Sequence, residues 1–528
     1  DTDNPVSYGS DSINVEYGST NDHTSISLQN QSPADSTHLY LTITDPALNI
    51  DPTTADAWIF NIHASDSTDH QLFFASNHTD QNASNSAISL AEMGDMGFDG
   101  NGRLANSTGS ASSIIDGGQN VTMTENAANS AVFESWATNG TSQIVTADEV
   151  GGDKRVVFTY GGDSADMIIT YNDATLDFDA GSGDWLATET AYVTLNDPDA
   201  NKYPGVSETL SISDPNAVIP TIKVGSPLTL ANSDGNNNLK SGTAQANAGV
   251  QVGAPKGLVG YNLTVYNTTD NSERLRIMHS SIVDNNVVNA TGGAGHVNTW
   301  INITTAHTLQ DLIDLEGTAV LNYDVSGPAS DLASTAVAVY VLSSGSNATN
   351  SGGDAMSVLT SGNARSGVVD LDDGTYHVTK NDVSGQLWNF GGATGTPATN
   401  VGVAFKISHA AGYFLNDTHD YTVAADFCNF DQDNGSAVHN CIYRIEAEET
   451  GDDTGVFEGT VDYIMLNNST AASTDNGEAA GNDEEVEDLL TTNSDGVTVV
   501  LMNGVTGSDT IRVVYNDTDA LQGADKLG

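Results

Sequence analysis

The sequence predicts an all-β protein made of tandem antiparallel β-sandwich domains with short connecting helices. Runs of β-branched and aromatic residues recur throughout its 528 residues, and Gly, Asn, Asp and Ser separate them. This pattern is typical of short strands connected by turns. Two strand-and-turn motifs also occur twice, which indicates a repeated β domain.

The first repeated motif is a strand that ends in D-P-x-x-N. It occupies residues 39–52 (LYLTITDPALNIDP) and residues 191–204 (AYVTLNDPDANKYP). The identical pairs are Tyr40 and Tyr192, Thr42 and Thr194, Asp45 and Asp197, Pro46 and Pro198, Asn49 and Asn201, and Pro52 and Pro204. Because an Asp side chain caps backbone N–H groups and Pro fixes φ, each copy predicts a strand that runs into a turn.

The second repeated motif occupies residues 125–135 (ENAANSAVFES) and residues 449–459 (ETGDDTGVFEG). Each copy is followed by a strand that ends in Tyr-Asn-Asp, at residues 167–173 and 511–517. The order of the motifs predicts one module from the first D-P-x-x-N strand to the first Tyr-Asn-Asp. It predicts another module at the end of the chain.

These motifs resemble the tandem, Ig-like β-sandwich modules of archaeal S-layer proteins and related extracellular surface proteins, especially those of salt-loving archaea. The resemblance covers residues 39–215 and 440–518. The first module departs from the pattern at Ser130 and Ala131, which replace its Thr and Gly. The resemblance implies a structural protein of a cell surface.

The motifs divide the chain into three expected parts. These are an N-terminal β-sandwich module with a long insertion (1–185), a central β-rich region of one or more domains (186–410), and a C-terminal β-sandwich module with a disulfide hairpin (411–528). Apolar residues three to four positions apart predict two short connecting helices, at residues 306–317 and 483–490.

The composition is strongly acidic, with 70 Asp and Glu residues, 15 Lys and Arg residues and a formal net charge of −55. Because 38% of the residues are hydrophobic and lie in patterned segments, the acidity indicates the surface of a folded protein rather than disorder. Near 1 M salt the Debye length falls to about 3 Å, which screens repulsion between like charges. The charge therefore predicts a protein of high-salt environments and argues against nucleic-acid binding.

Sixteen N-x-[ST] sequons predict N-linked glycans and an exported protein. They lie at Asn30, Asn77, Asn82, Asn106, Asn120, Asn139, Asn262, Asn267, Asn289, Asn302, Asn347, Asn416, Asn434, Asn467, Asn468 and Asn516. The chain begins at Asp1 without a basic or apolar leader, as expected of a mature exported chain. In such a protein the two cysteines, Cys428 and Cys441, predict a disulfide that closes a hairpin.

Two acidic turns are candidate sites for Ca²⁺ or another hydrated cation. Asp431 and Asp433 lie in DQDNGS, and Asp370 and Asp372 lie in DLDDG, each with a Gly that permits a sharp bend. Hard cations need several oxygen ligands brought together by such a turn. Since the distal Glu of an EF-hand loop is missing, a Ca²⁺ site and a solvated acidic turn both remain open. The D-P-x-x-N turns could also hold an ion, with local capping as the alternative.

One loop combines exposed-looking aromatic residues with glycines. Leu387, Trp388 and Phe390 lie in SGQLWNFGGATG. Such a tip could enter a membrane or the pocket of a partner. The alternative is a hairpin whose aromatic side chains fold back into the core.

The sequence predicts that the protein is not an enzyme. It contains no H-E-x-x-H, no G-x-S-x-G, no Walker loop and no strand-to-helix G-x-G-x-x-G. Carboxylate pairs are too frequent at this charge density to identify a glycosidase dyad, so a secreted hydrolase remains a further alternative.

The leading hypothesis is therefore a non-enzymatic, N-glycosylated structural protein on the outside of a halophilic archaeon. It would be a subunit of an S-layer-like coat or surface filament that self-assembles through β domains and cation bridges. The alternative is the ectodomain of an envelope spike or membrane-fusion protein of a haloarchaeal pleomorphic virus, the one hypothesis with membrane contact. Both place the protein outside the cell, on a cell or virion surface.

Overall fold

The computed structural model describes residues 4–15, 23–61, 72–75, 87–89, 105–106, 114–116, 120–148, 150–181, 185–187, 189–229, 251–252, 263–267, 271–277, 298–308, 311–312, 315, 318–343, 356–362, 364–371, 389–390, 393–394, 400–410, 413, 415, 419–431, 438–466, 490–502, 511–518 and 524–527. Strands make up 51% of the structure and helices 6%. This content confirms the predicted all-β class.

The chain divides into two compact units. Unit 1 consists of residues 1–173, 197–208 and 449–455, and unit 2 consists of residues 174–196, 209–448 and 456–528. This division differs from the expected boundaries near residues 186 and 410. Segments far apart in the sequence fold into one body, and no local change of composition marks such a return of the chain.

The described residues of unit 1 form short strands. These are β1 (Asn4–Tyr8), β2 (Asp11–Val15), β3 (Ser25–Leu28), β4 (Leu41–Thr44), β5 (Ala57–Asn61), β6 (Leu72–Ala75), β7 (Ala87–Ser89), β8 (Ala105–Asn106), β9 (Ile115–Asp116), β10 (Asn120–Glu125), β11 (Val132–Glu134), β12 (Val145–Thr146), β13 (Arg155–Tyr160) and β14 (Asp163–Ile168). Two 3-10 turns, Pro46–Leu48 and Pro198–Ala200, follow the D-P sequences.

The remaining elements begin at Thr175. They are β15 (Thr175–Asp179), β16 (Ala191–Asn196), β17 (Thr209–Leu210), β18 (Thr221–Val224), β19 (Leu228–Thr229), β20 (Gln251–Val252), β21 (Leu263–Asn267), β22 (Leu275–Ile277), β23 (Asn298–Thr308), β24 (Thr318–Asp324), α1 (Ser326–Asp331), β25 (Ala336–Ser343), β26 (Met356–Gly362), β27 (Ser366–Asp370), β28 (Asn389–Phe390), β29 (Ala393–Thr394), β30 (Asn400–Ser408), β31 (Tyr421–Asp431), β32 (Val438–Ile445), β33 (Ala447–Glu449), β34 (Val456–Leu466), β35 (Asn493–Ser494), β36 (Gly496–Met502), β37 (Val513–Asp517) and β38 (Ala524–Leu527).

Two sheets of unit 1 share one hydrophobic core. A seven-stranded sheet has the order β3-β4-β11-β10-β5-β6-β7, and a three-stranded sheet has the order β14-β13-β8. Trp58, Phe60 and Phe133 from the first sheet cluster with Phe158 and Met167 from the second, and all five are buried. Because side chains alternate between the faces of a strand, one face of each sheet supplies this core. Unit 1 is therefore sandwich-like.

Unit 2 contains two hydrophobic clusters. In the first, the sheet β23-β30-β25-β26 packs Ile301 and Phe405 with Tyr323 of β24 and Phe427 of β31. The second gathers side chains of β16, β18, β32, β34 and β36 around Tyr443. Strand β34 pairs with β36 and β32 pairs with β35 in parallel, whereas the other described pairings are antiparallel.

The predicted disulfide is confirmed. Cys428 of β31 and Cys441 of β32 are bonded, with an S–S distance of 2.06 Å, and both residues are completely buried. The two strands pair antiparallel, with Asn429 opposite Asn440. The bond therefore closes the expected hairpin inside the second cluster of unit 2.

The predicted connecting helices are not confirmed. Strand β23 continues to Thr308, which lies opposite Asn400 of β30, so the helix expected from residue 306 is wrong at its start. The Thr-rich end of this segment favours an extended backbone, and pairing with β30 holds it there. Only Asp311 and Leu312 within that range are helical among the described residues, and residues 483–489 lie outside them.

One buried ion pair lies between the two long central strands of unit 2. Nη1 of Arg444 in β32 lies 2.5 Å from Oδ2 of Asp426 in β31, and both side chains are completely buried. Nε of Arg444 donates to the carbonyl of Ser272 at 2.7 Å. Burial raises the pKa of Asp426 to about 6, against the opposing effect of Arg444. Each charge therefore depends on the other for compensation.

Replacing Asp426 with Asn leaves Arg444 buried without a counter-ion, which typically costs about 3–5 kcal/mol of unfolding free energy. Denaturant unfolding in molar salt measures this loss. Asp166→Asn is the matched control, because Asp166 pairs with Arg155 at the same 2.5 Å distance on the surface, where such a pair contributes about 1 kcal/mol or less. Equal losses in the two variants would contradict the prediction.

Candidate functional site

Two pairs of loops form the same structure, here called a corner. Corner 1 consists of residues 45–56, between β4 and β5, and residues 125–131, between β10 and β11. Corner 2 consists of residues 197–208, between β16 and β17, and residues 449–455, between β33 and β34. The loops of both corners belong to unit 1. The two repeated sequence motifs thus combine into one structural motif that occurs twice.

The strands that lead into the corners have the same register. Phe133 lies opposite Ile43 beside corner 1, and Phe457 lies opposite Leu195 beside corner 2. Strand β5 pairs with β10 and β17 pairs with β33 at equivalent positions. The chain between these last partners has 58 residues (62–119) in the first copy and 236 residues (211–446) in the second, where it includes most of the central region. The central region is therefore an insertion into the second copy of the module.

The D-P-x-x-N residues act as caps. Oδ1 of Asp45 accepts a hydrogen bond from the Ala47 amide at 2.8 Å, and Oδ1 of Asp197 accepts one from the Asp199 amide at 3.0 Å. Because Pro follows each Asp, its fixed φ starts a 3-10 turn at that point. In corner 1 the second carboxylate oxygen of Asp45 also accepts a 2.7 Å hydrogen bond from Tyr160 in the core.

A buried glutamate organises the second loop of each corner. Oε1 of Glu125 accepts from the amide of Ala131 at 2.7 Å. Oε1 of Glu449 accepts from the amides of Thr454 and Gly455, both at 2.8 Å. Hydrogen bonds to an ionised carboxylate are stronger than those between neutral groups. Each glutamate therefore fixes the turn that follows it.

Backbone hydrogen bonds join the two loops of each corner. The amide of Asp45 donates to the carbonyl of Ala131 at 2.9 Å, and the amide of Asp197 donates to that of Gly455 at 2.8 Å. Side-chain amides add a second link. Nδ2 of Asn49 donates to Asn129 at 2.9 Å, and Nδ2 of Asn201 donates to Asp453 at 3.1 Å. The Asn of D-P-x-x-N therefore ties one loop to the other.

The last residue of the first loop completes the corner. Oε2 of Glu125 accepts from the amide of Asp56 at 3.0 Å, and Oε2 of Glu449 accepts from that of Glu208 at 3.2 Å. Asp56 and Glu208 in turn accept backbone amides of their own loops, from Ile50 at 2.6 Å and from Tyr203 at 2.8 Å. The sequence analysis missed this acidic pair, although both loops have twelve residues and end in an acid.

Burial in the corners disfavours the charged form of two carboxyl groups. Burial raises the pKa of Glu208 to about 7, and the nearby Glu449 carboxylate acts in the same direction. Burial also raises the pKa of Asp45, against the hydrogen bonds from Tyr160 and Ala47. The stability gained by protonating Glu208 is present at acid pH and is lost as the pH rises through about 7.

The described residues include only part of the other predicted sites. Asp431 and Asp370 end strands β31 and β27, whereas Asp433, Asp372, Leu387 and Trp388 lie outside the described residues, and Phe390 is described only as part of the β28 backbone. Among the described residues, no group of three or more His, Cys, Asp or Glu side chains could hold a metal ion. In the same part of the chain, no helix is long and apolar enough to cross a membrane.

Two of the sequons lie in exposed turns with the side chain fixed. Oδ1 of Asn139 accepts from the hydroxyl of Thr141 at 2.7 Å, and Oδ1 of Asn30 accepts from the amide of Ser32 at 2.9 Å. Asn516 lies in β37, and Asn106, Asn120, Asn267 and Asn302 lie in strands. The others, Asn77, Asn82, Asn262, Asn289, Asn347, Asn416, Asn434, Asn467 and Asn468, lie outside the described residues.

Replacing Glu449 with Ala should lower the unfolding free energy by about 2–4 kcal/mol, because the amides of Thr454 and Gly455 lose their acceptor at about 1–3 kcal/mol each. Glu448→Ala is the matched control: this neighbouring side chain is exposed, so a change within about 0.5 kcal/mol is expected. Denaturant unfolding of both variants in molar salt makes the comparison. A small effect of Glu449→Ala would show that the glutamate does not hold the corner.

Replacing Ala131 with Gly should stabilise the protein by about 0.5–1 kcal/mol, because Ala131 adopts a φ of 57°, which costs an L side chain energy that Gly avoids. The reverse change tests the same idea in corner 2. Gly455 has a φ of 61°, and an added Cβ would lie 2.8 Å from Cα of Pro198. Gly455→Ala should therefore destabilise the protein, and unfolding temperatures that rise in both variants would contradict this account.

The resemblance to archaeal surface modules stays a prediction, which rests on the short motifs that form the corners. No protein-family model matches the sequence, and no curated protein matches it.

Proposed function

We propose that the chain is a non-enzymatic, N-glycosylated structural protein from the outside of a halophilic archaeon. Its modules are Ig-like β-sandwiches, and its role is to form a subunit of an S-layer-like coat or surface filament. The observation that carries this proposal is the duplicated corner, in which two distant parts of the sequence adopt one hydrogen-bonding pattern. A repeated structural module is the usual building unit of proteins that extend or assemble by stacking.

The charges of the chain support assembly through shared cations. Arg155, Lys202, Lys223, Arg276 and Arg444 each pair with a carboxylate of the same chain. These five are a third of the 15 basic residues, which face 70 acidic ones. Direct salt bridges between copies are therefore scarce, and hydrated cations would link acidic faces. This role fits a medium in which the Debye length is about 3 Å.

Electron microscopy of the purified glycoprotein in molar NaCl tests the proposal. We expect ordered sheets or filaments that dissociate, or modules that unfold, below a few tenths molar salt, because long-range repulsion between like charges then returns. Addition of a divalent cation at low salt should restore part of the assembly. Monomers in molar salt, or hydrolysis of a polysaccharide or peptide substrate, would contradict the proposal, and isolated spikes on membrane vesicles would favour a viral envelope protein.

A further inference from the structure

The first loop of corner 2 is covered by a face of unit 1. The ring of His38 stacks on Tyr203 with 4.3 Å between the ring centroids. Nε2 of Gln29 donates to the carbonyl of Pro204 at 3.0 Å. An added Cβ at Gly205 would collide with the ring of Tyr40, so this ring lies directly on the loop. The face defined by Gln29, His38 and Tyr40 thus recognises a corner, and we call it the covering face.

Hydrogen bonds also join the covering face to the first loop of corner 2. The amide of His38 donates to the carbonyl of Lys202 at 2.8 Å. Nζ of Lys202 reaches the carbonyl and the carboxylate of Asp35, at 2.9 and 3.3 Å. As a result Pro204 is buried and Tyr40 is only 1% exposed.

The second copy of the module keeps the tyrosine of the covering face, whereas Thr190 and Asp179 replace His38 and Gln29. Tyr192 is the repeat counterpart of Tyr40. It lies opposite Thr460, which is the counterpart of Trp136, the residue whose ring stacks on Tyr40. Asp179, which lies opposite Tyr192, is the counterpart of Gln29. Tyr192 is 52% exposed. The same residue is therefore buried under a corner in one copy and open to solvent in the other.

Corner 1 is open in the same way. Ile50, Pro52 and Thr53, the counterparts of Lys202, Pro204 and Gly205, are all exposed. Ile50 is 44% exposed, which makes it one of the few large apolar side chains on the surface of the described residues. The first copy of the module thus presents an uncovered corner, and the second copy presents an uncovered covering face.

We propose that a second copy of this chain closes both surfaces: corner 1 of one molecule docks on the Tyr192 face of the next and repeats the contact that Tyr40 makes with residues 202–205. This inference rests on the proposed structural function and names the contact through which subunits join. Because the two surfaces differ, the contact is heterologous. A heterologous contact that does not close on itself generates a linear filament.

Several residues at the contact between copies differ from their counterparts in unit 1, and two of these differences are steric. Thr53 replaces Gly205 and brings a side chain to the place where the tyrosine ring would lie. On the facing molecule, Thr460 replaces Trp136, which stacks on Tyr40 at 4.7 Å and fixes its ring. Without this stack the ring of Tyr192 has room to turn away from Thr53. The two changes therefore compensate each other across the contact.

The charges of the second contact make it depend on cations. Ile50 replaces Lys202 and Asp51 replaces Tyr203, so the contact has one positive charge fewer and one negative charge more. Asp179 replaces Gln29, which donates to a carbonyl, and a carboxylate cannot donate in this way. A hydrated cation between Asp179 and the carbonyl of Pro52 satisfies both oxygens. The contact between copies is therefore salt-dependent, whereas its counterpart within unit 1 uses side-chain donors.

Cross-linking between two single-cysteine variants tests the contact. One full-length chain carries Thr53→Cys, and a second, distinguishable by a size tag, carries Thr190→Cys; Thr190 is exposed two residues before Tyr192, so the tyrosine ring stays in place. The two native cysteines are already bonded to each other, so each variant has one reactive thiol. In molar NaCl a short bismaleimide should join the two chains in high yield. Thr53→Cys mixed with Tyr413→Cys is the control, since Tyr413 is 44% exposed elsewhere in unit 2.

Cross-links between identical variants, or equal yields with Thr190→Cys and Tyr413→Cys, would overturn the proposed contact. Tyr192→Ser gives a second measurement that does not depend on the linker. It should reduce the sedimentation coefficient of the assembly to that of the monomer, whereas Tyr413→Ser should not. If wild-type protein forms sheets or filaments but Tyr192 proves irrelevant, the contact is wrong and the structural function stands. If wild-type protein stays monomeric in molar salt, the structural function itself is wrong.

Discussion

The structure of both corners depends on a buried carboxylate that accepts backbone amides from two loops. Glu125 and Glu449 each bind the turn that follows them through one oxygen and the end of the neighbouring loop through the other. Where the four strands of a corner end, the glutamate accepts backbone hydrogen bonds that the regular ladder of a sheet would otherwise accept. Without it, several buried amides would lack an acceptor, and the loops would have no common anchor.

The buried carboxyl groups of the corners differ from those of the acidic surface, because burial disfavours their charged form. A carboxylate on the surface is stabilised by solvent and by screening and needs no partner in the fold. The corner carboxyls are desolvated and accept hydrogen bonds from backbone amides. Burial raises the pKa of Glu208, and the nearby Glu449 acts in the same direction. The excess of acid therefore serves two purposes: surface hydration and the internal organisation of loops.

Local chemistry made much of the fold predictable. The D-P-x-x-N turns, the capping role of Asp45 and Asp197 and the disulfide follow from residue types at short spacing, and the structure contains all of them. The union of residues 197–208 with residues 449–455 was not predictable in the same way. It depends on the pairing of β16 with β34, which lie more than 250 residues apart, and hydrophobic periodicity does not encode which strand pairs with which.

The clearest division between sequence and tertiary structure concerns Tyr40 and Tyr192. The sequence by itself determined that both lie in an alternating segment that runs into D-P-x-x-N, because alternation and turn residues act over a few positions. Only the tertiary structure decided that Tyr40 lies under a corner and Tyr192 is exposed. Burial depends on what the rest of the chain brings to a residue, and the two identical tyrosines receive different neighbours.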